Sequence, residues 1–196
     1  SYKNKLALLH FGAVDWECEV YVNGKKAGAH RGGYDPFTLD ISPYLKSGQQ
    51  EILVSVWDPS DEGPQPRGKQ VNKPRSIWYT PVTGIWQTVW MEGVPKTHIA
   101  STKQTPDIDH QQLQVSASVH NLQAGDRIRI SAWNGNQKIT EQILEGTAGT
   151  LSINNPTLWS PSNPFLYDLR VAVVRKGKVV DEVKSYFAMR KISMAP

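Results

Sequence analysis

The chain alternates between apolar and polar positions in short segments, which are separated by Gly, Pro, Asn and Asp. The clearest segment is 16–22, in which Cys18, Val20 and Val22 share one face. Alternation with a period of two is typical of a β-strand that buries one face. The Asn-Gly pair at 23–24 favours a type I′ hairpin turn, because both residues accept a positive φ. The pattern therefore predicts an all-β protein.

Similar segments predict two β domains, 1–95 and 96–196, with a boundary near residues 93–96. The strands predicted for the first domain are 5–11, 16–22, 25–29, 37–41, 51–57 and 87–91. Those predicted for the second domain are 99–103, 113–119, 127–133, 137–143, 149–153, 165–174 and 179–187. Seven short strands in about 100 residues favour an immunoglobulin-like β-sandwich. This sandwich would lack a disulfide, since the single cysteine, Cys18, precedes it and is predicted to be a buried small residue.

The composition argues against several classes of function. The 22 basic and 18 acidic residues are scattered along the chain, so no nucleic-acid partner is predicted. No apolar stretch approaches the roughly 20 residues of a membrane helix, so no membrane span is predicted. The five histidines lack the spacing of metal ligands, and no phosphate-binding loop occurs between a strand and a helix. The sequence therefore predicts neither a metal nor a cofactor.

Two motifs carry most of the information, 22–28 (VNGKKAG) and 157–167 (TLWSPSNPFLY). Together with 32–37 (GGYDPF), 83–90 (TGIWQTVW) and 187–192 (FAMRKI), they resemble glycoside hydrolase family 2, the group of β-galactosidases, β-glucuronidases and β-mannosidases. The ordered resemblance covers nearly the whole chain. It implies a partial sugar-binding jelly roll, which lacks the first strands of the family's domain, followed by an immunoglobulin-like β-sandwich.

The resemblance also implies what lies beyond the chain. In this family a catalytic (β/α)₈ barrel follows the two β domains and supplies both catalytic glutamates of a retaining glycosidase. The ends at Ser1 and Pro196 therefore suggest an excised segment, and no catalytic residue is assigned within it. The parent enzyme would hydrolyse a β-glycoside, with the barrel as intramolecular partner of this chain. The chain alone is predicted to be inactive, and a bacterial glycan-degrading parent favours a periplasmic or extracellular location.

The first candidate site is the glycine-containing segment that includes His30, Arg31, Tyr34 and Asp35. Sugar recognition needs aromatic faces for C–H stacking, together with polar groups that bind hydroxyls. In family 2 the corresponding loop approaches the mouth of the barrel, which would make these residues substrate-facing. The alternative is a structural turn, in which the glycines bend the backbone and Tyr34 covers the edge of the core.

The second candidate site is a proline-rich loop, 58–76, which carries Arg75 and leads to Trp78 and Tyr79. A loop of this length in a compact domain is commonly functional. The alternative is a surface excursion whose aromatic side chains pack on the barrel or on the second domain. Trp159 and Tyr167 are predicted to be structural. Trp86 and Trp90, four residues apart in a strand, are predicted to pack in the core or on a sheet face.

Three functions therefore remain open from the sequence. The chain forms accessory domains of a family 2 glycosidase, or a free-standing carbohydrate-binding module, or a purely structural module without affinity for sugar. Sugar binding by the chain itself separates the last of these from the others.

Overall fold

The computed structural model describes residues 5–194, so the predictions about Ser1–Asn4 and Ala195–Pro196 lie outside the described residues. The chain divides into two compact units between Val94 and Pro95. Regular structure in the described range consists of β-strands and one short 3-10 turn, Ser42–Tyr44. Within this range no helix is long and apolar enough to cross a membrane.

The first unit is a partial jelly roll of antiparallel strands. Its strands in the described residues are β1 (Leu6–Phe11), β2 (Val14–Asp15), β3 (Glu17–Val22), β4 (Lys25–Arg31), β5 (Phe37–Asp40), β6 (Ile52–Trp57), β7 (Gly84–Ile85) and β8 (Val89–Val94). Two three-stranded sheets form, in the orders β5-β1-β8 and β4-β3-β6, and β2 pairs with β7 separately. The central strands, β1 and β3, alternate buried and more exposed positions, as the period of two predicts.

The core of the first unit consists of the inward faces of β1 and β3. Its fully enclosed side chains are Ala7, Leu9, Phe11, Val14, Cys18, Val20, Val22 and Ile41. The prediction that Cys18 is a buried apolar residue is confirmed, and burial raises the pKa of its thiol. The thiol is therefore held in its protonated form, which suits packing.

The predicted hairpin turn forms, with φ values of 51° at Asn23 and 78° at Gly24. The Asn23 side chain has a second function that the turn alone does not require. Its amide donates to the Tyr44 carbonyl at 2.9 Å, and its oxygen accepts the Glu51 N–H at 3.0 Å. Asn23 therefore fastens the turn to the segment that enters β6.

The second unit is an immunoglobulin-like sandwich. Its strands within residues 95–194 are β9 (His98–Asp107), β10 (Gln112–His120), β11 (Arg127–Asn134), β12 (Gln137–Leu144), β13 (Ala148–Ser152), β14 (Tyr167–Arg175) and β15 (Lys178–Phe187). One sheet has the order β13-β10-β9 and the other β12-β11-β14-β15. All seven strands overlap those predicted from the sequence. The sheets enclose a single apolar cluster that includes Leu113, Ile130 and Leu169.

Polar contacts close the two ends of this sandwich. At one end the Arg175 guanidinium donates to both carboxylate oxygens of Asp126, at 2.7 and 2.8 Å, and to the Thr97 hydroxyl at 3.0 Å. Elsewhere the buried Tyr167 hydroxyl accepts the Thr157 N–H at 2.8 Å. The Trp159 ring lies under the Arg190 guanidinium at 4.4 Å. The prediction that Trp159 and Tyr167 are structural agrees with these contacts.

The sequence pattern did not predict the two shortest strands, β2 and β7. It also placed Trp86 and Trp90 together in one strand with a core or sheet-face function. Trp86 instead lies between β7 and β8, and both indoles are about half exposed. Trp90 packs on the outer face of its sheet, where its ring stacks on His10 at 4.7 Å. The core assignment is therefore wrong, and sheet-face packing holds for Trp90 alone.

Ile130→Ala should destabilise the second unit by about 2–5 kcal/mol, because it opens a cavity in a core that is fully enclosed. Ile143→Ala is the matched control, since Ile143 is exposed on the neighbouring strand β12. Urea unfolding, followed by amide NMR signals of the second unit, measures both changes. Equal losses of stability in the two variants would contradict the assigned core.

Acid should destabilise the second unit between about pH 4 and pH 2. The hydrogen bonds from Arg175, which outweigh burial, lower the pKa of Asp126 from 3.8 to about 2. A lowered pKa in the folded state stabilises the fold above the unfolded value, and this contribution is lost as the pH falls through the folded value. Urea midpoints of the wild type should therefore fall more steeply over this interval than those of Asp126→Asn. Asp168→Asn, at an exposed carboxylate, should keep the wild-type profile.

Candidate functional site

A cleft of about 510 Å³ opens on the first unit. It combines three aromatic side chains with a carboxylate, an amide, a hydroxyl and small apolar groups. The lining residues are Asp15, Tyr34, Gln70, Tyr79, Val82, Thr83, Gly84, Ile85 and Trp86. They come from three separate parts of the chain, so the cleft depends on the fold of the unit.

The pairing of β2 with β7 forms the base of this cleft. Val14 lies opposite Ile85 and Asp15 opposite Gly84, which joins two distant segments in antiparallel register. The Asp15 carboxylate also approaches Gly33 so closely that a Cβ atom there would stand 2.5 Å from Oδ1. A side chain at position 33 would therefore force the Asp15 carboxylate to move, whereas the backbone angle at Gly33 is not unusual.

Trp86 fixes the loop that carries Tyr34. The indole Nε1–H of Trp86 donates to the Gly33 carbonyl at 2.7 Å, and the Trp86 backbone N–H donates to the Ala13 carbonyl at 3.3 Å. The Trp86 and Tyr34 rings then meet edge to face, with centroids 5.7 Å apart and planes inclined by 76°. This is a favourable aromatic geometry, and it holds two rings against one wall of the cleft.

The proline-rich loop and the segment that follows it supply further lining residues, among them Gln70 and Tyr79. Tyr79 is anchored through its backbone, because its N–H donates to the Lys69 carbonyl at 3.0 Å and its carbonyl accepts the Val71 N–H at 3.1 Å. The Gln70 side chain accepts the Val82 N–H at 2.6 Å and donates to the Arg67 carbonyl at 3.2 Å. The loop therefore holds the Tyr79 ring at the surface without burying it.

The rings of the cleft remain accessible. Tyr34 is 51% exposed, Tyr79 is 56% exposed and Trp86 is 50% exposed. Large aromatic side chains are ordinarily buried, and an exposed set around one concave surface indicates a binding site. The three rings give the cleft apolar faces, while Asp15 and Thr83 give it polar groups.

The electrostatics of the cleft are acidic. Burial raises the pKa of Asp15, and the negative charge of the nearby Asp58 raises it further. Asp58 itself accepts the Thr83 hydroxyl at 2.9 Å and the Ser60 N–H at 2.8 Å, which keeps its carboxylate next to the cleft. In the described part of the chain, no group of three or more His, Cys, Asp or Glu residues is arranged to hold a metal ion.

The structure separates the residues of the first candidate site. Tyr34 lines the cleft, whereas Asp35 is exposed and does not. The His30 ring stacks on Phe37 with centroids 4.2 Å apart, which is a packing contact. The Arg31 guanidinium lies 5.3 Å from the centre of the Trp16 ring. Of this group, Tyr34 is the residue that the fold brings to the cleft.

The second candidate site is divided in the same way. Tyr79 lines the cleft, whereas Arg75 and Trp78 are exposed and lie outside the lining. The Trp78 N–H donates to the Arg75 carbonyl at 2.9 Å, a turn contact that sets the entry to Tyr79. The sequence pattern did not indicate Asp15 or Trp86 as site residues.

Both omissions have a recognisable signal. Trp86 follows a Thr-Gly-Ile segment, which is too short to form a regular strand that would bury the indole. Asp15 directly precedes Trp16, where an acidic residue interrupts an apolar run. Neither signal indicates a cleft until the β2–β7 pairing is known.

Comparison with family models covers almost the whole described chain. Residues 2–92 match the model described as "Glycosyl hydrolases family 2, sugar binding domain". Residues 97–190 match the model described as "Glycosyl hydrolases family 2". The two matches fall on the first and second units, respectively.

Two curated relatives and one solved structure are similar to this chain. A Formosa agariphila protein named "Putative beta-glucuronidase" is 33% identical over 95% of the chain and 23% of its own length. A β-galactosidase of Thermoanaerobacter pseudethanolicus is 30% identical over 92% of the chain and 25% of its own length. The structure of Ruminococcus gnavus β-glucuronidase has a TM-score of 0.79 and 21% identity over 99% of the chain and 33% of its own, a likeness of fold.

The chain therefore spans about a quarter of the length of the curated relatives it matches. Both units match models of one family, in the order that the sequence motifs implied. The chain belongs to glycosyl hydrolase family 2.

Proposed function

We propose that this chain forms the non-catalytic N-terminal part of a β-glycosidase and that the cleft of its first unit contacts the glycoside. The observation that carries the proposal is the set of exposed rings, Tyr34, Tyr79 and Trp86, around one concave surface. The relatives support it, since they carry the names of β-galactosidases and β-glucuronidases.

The chemistry of the cleft suits a pyranose. One face of a pyranose ring presents C–H groups, which pack on the face of an aromatic ring, while its rim presents hydroxyl groups. The Asp15 carboxylate can accept from two hydroxyls, and the Thr83 hydroxyl can exchange its bond to Asp58 for one to a sugar. A few polar groups among apolar walls are typical of a small-molecule site.

The reaction itself is assigned to a (β/α)₈ barrel outside this chain, as in the resemblance to family 2. Such a barrel supplies two carboxylates, about 5 Å apart in a retaining enzyme, which act as nucleophile and acid/base. The two units described here would support the barrel and extend its substrate pocket. The greater length of the relatives is consistent with this division.

A structural function in docking is the second candidate. Apolar side chains are exposed along the segment that leads from the cleft into β8, where a soluble surface ordinarily carries polar ones. They are Ile77, Val82, Ile85, Val89 and Met91. Docking of the barrel on this segment would bury these side chains. Such docking is compatible with sugar contact in the cleft.

Trp86→Ala and Tyr79→Ala should each weaken binding of a methyl β-glycoside to this chain by at least about fivefold. An aromatic contact contributes roughly 1 kcal/mol, and 1.4 kcal/mol corresponds to a factor of ten. Binding is measured by NMR titration with methyl β-D-galactopyranoside and methyl β-D-glucopyranoside. Trp57→Ala is the matched control, because Trp57 is 58% exposed on β6 and lies outside the cleft lining.

Three results of this titration separate the candidate functions. Binding that Trp86→Ala weakens and Trp57→Ala leaves unchanged supports the sugar cleft. Saturable binding that neither cleft variant weakens would contradict the proposed site. No binding at tens of millimolar sugar would contradict sugar contact and leave docking as the function.

The 196-residue chain should not release nitrophenol from nitrophenyl β-galactoside or β-glucuronide, because the proposed catalytic carboxylates belong to the barrel. The positive control is the product of the complete reading frame, assayed under the same conditions. Turnover by the purified 196-residue chain would overturn the non-catalytic assignment, provided that it persists through repeated purification.

A further inference from the structure

We propose that the cleft of the first unit selects sugar residues without a negative charge and disfavours uronates. This inference rests on the proposed function, since it names the class of sugar that the same cleft accepts. A hexose and its uronate differ at C6, where a neutral hydroxymethyl group is replaced by a carboxylate. The charge of the cleft therefore decides between them.

The charge of the cleft is carried by Asp15, and the lining includes no Lys, Arg or His. Asp58 adds a second carboxylate immediately behind the lining, because it accepts the hydroxyl of the lining residue Thr83 at 2.9 Å. The two acids are close enough for Asp58 to raise the pKa of Asp15. A ligand in the cleft therefore meets a negative potential.

The basic side chains near the cleft in sequence do not compensate for this potential. The Arg31 guanidinium lies 3.5 Å from the Glu17 carboxylate. Arg67 donates to the Asp61 carbonyl at 3.0 Å, and Lys69 is exposed to solvent. The Arg31 charge is paired and the Lys69 charge is hydrated, so both contribute little to a ligand at a separate site. Arg67 keeps its charge but lies outside the lining, with its guanidinium held at the Asp61 carbonyl.

The polar groups of the cleft favour a ligand that donates hydrogen bonds. A sugar hydroxyl donates a hydrogen bond to the Asp15 carboxylate, and the bond is strengthened because its acceptor is charged. A uronate in the same position offers a second acceptor and a like charge, which an interface strongly disfavours. Selection therefore arises from repulsion of the wrong ligand as well as from attraction of the right one.

The test is an NMR titration of the 196-residue chain with two ligands that differ at C6, methyl β-D-glucopyranoside and methyl β-D-glucopyranosiduronate. In the wild type the dissociation constant for the uronate should be at least about tenfold larger at low salt. Asp15→Asn should reduce this ratio to within about threefold, because the variant removes the charge and keeps a similar shape. Asp35→Asn, at an exposed acid outside the lining, should leave the wild-type ratio unchanged.

A second measurement keeps the proposal testable if Asp15→Asn does not fold. Raising the salt concentration from 20 mM to 500 mM shortens the range of charge interactions severalfold, so the wild-type ratio should shrink. Equal affinities for the two ligands at low salt would overturn the charge selection and leave the proposed sugar cleft in place. A ratio that responds to neither salt nor Asp15→Asn would also overturn it. Binding of neither ligand would instead count against the proposed function.

Discussion

The candidate site depends on a single long-range constraint, the contact between the segment after β7 and the loop between β4 and β5. The indole N–H of Trp86 donates to the Gly33 carbonyl, and the short pairing of β7 with β2 fixes the strand from which Trp86 extends. Without this contact the loop that carries Tyr34 would lose one of its tethers, although the Gly32 N–H also donates to the Trp16 carbonyl at 3.1 Å. A hydrogen bond between residues so distant in sequence forms only after the sheets have packed, so the cleft is a consequence of tertiary structure.

The sequence predicted the repetitive part of the fold well. Strands such as β3 and β11 alternate polar and apolar residues over six or more positions. This alternation can be recognised without knowing which strands pair with them. It did not predict β2 and β7, because two residues cannot display a period. For the same reason it treated Trp86 as part of β8, although the residue leaves the strand in order to reach Gly33.

The candidate site residues show the same limit. Local sequence indicates suitable residue types, whereas contacts between distant segments decide which of them line the cleft. Tyr34 and Tyr79 are loop aromatics near glycine and proline, a setting that suits sugar recognition, and both line the cleft. His30 and Arg31 have the same chemical suitability, but β4 directs them to Phe37 and Trp16. Residue type narrows the choice of binding residues, whereas the direction in which a strand presents each side chain makes the final selection.

The close approach of Asp15 to Gly33 has a consequence for how this surface can change over generations. A methyl group at position 33 would collide with the carboxylate, so a larger residue there requires a smaller or displaced one at position 15. The two positions therefore constrain each other, although they lie on different elements of the chain. A substitution that removes the carboxylate at position 15 would leave room for a side chain at position 33, so the charge of the cleft and the shape of the glycine loop would change together.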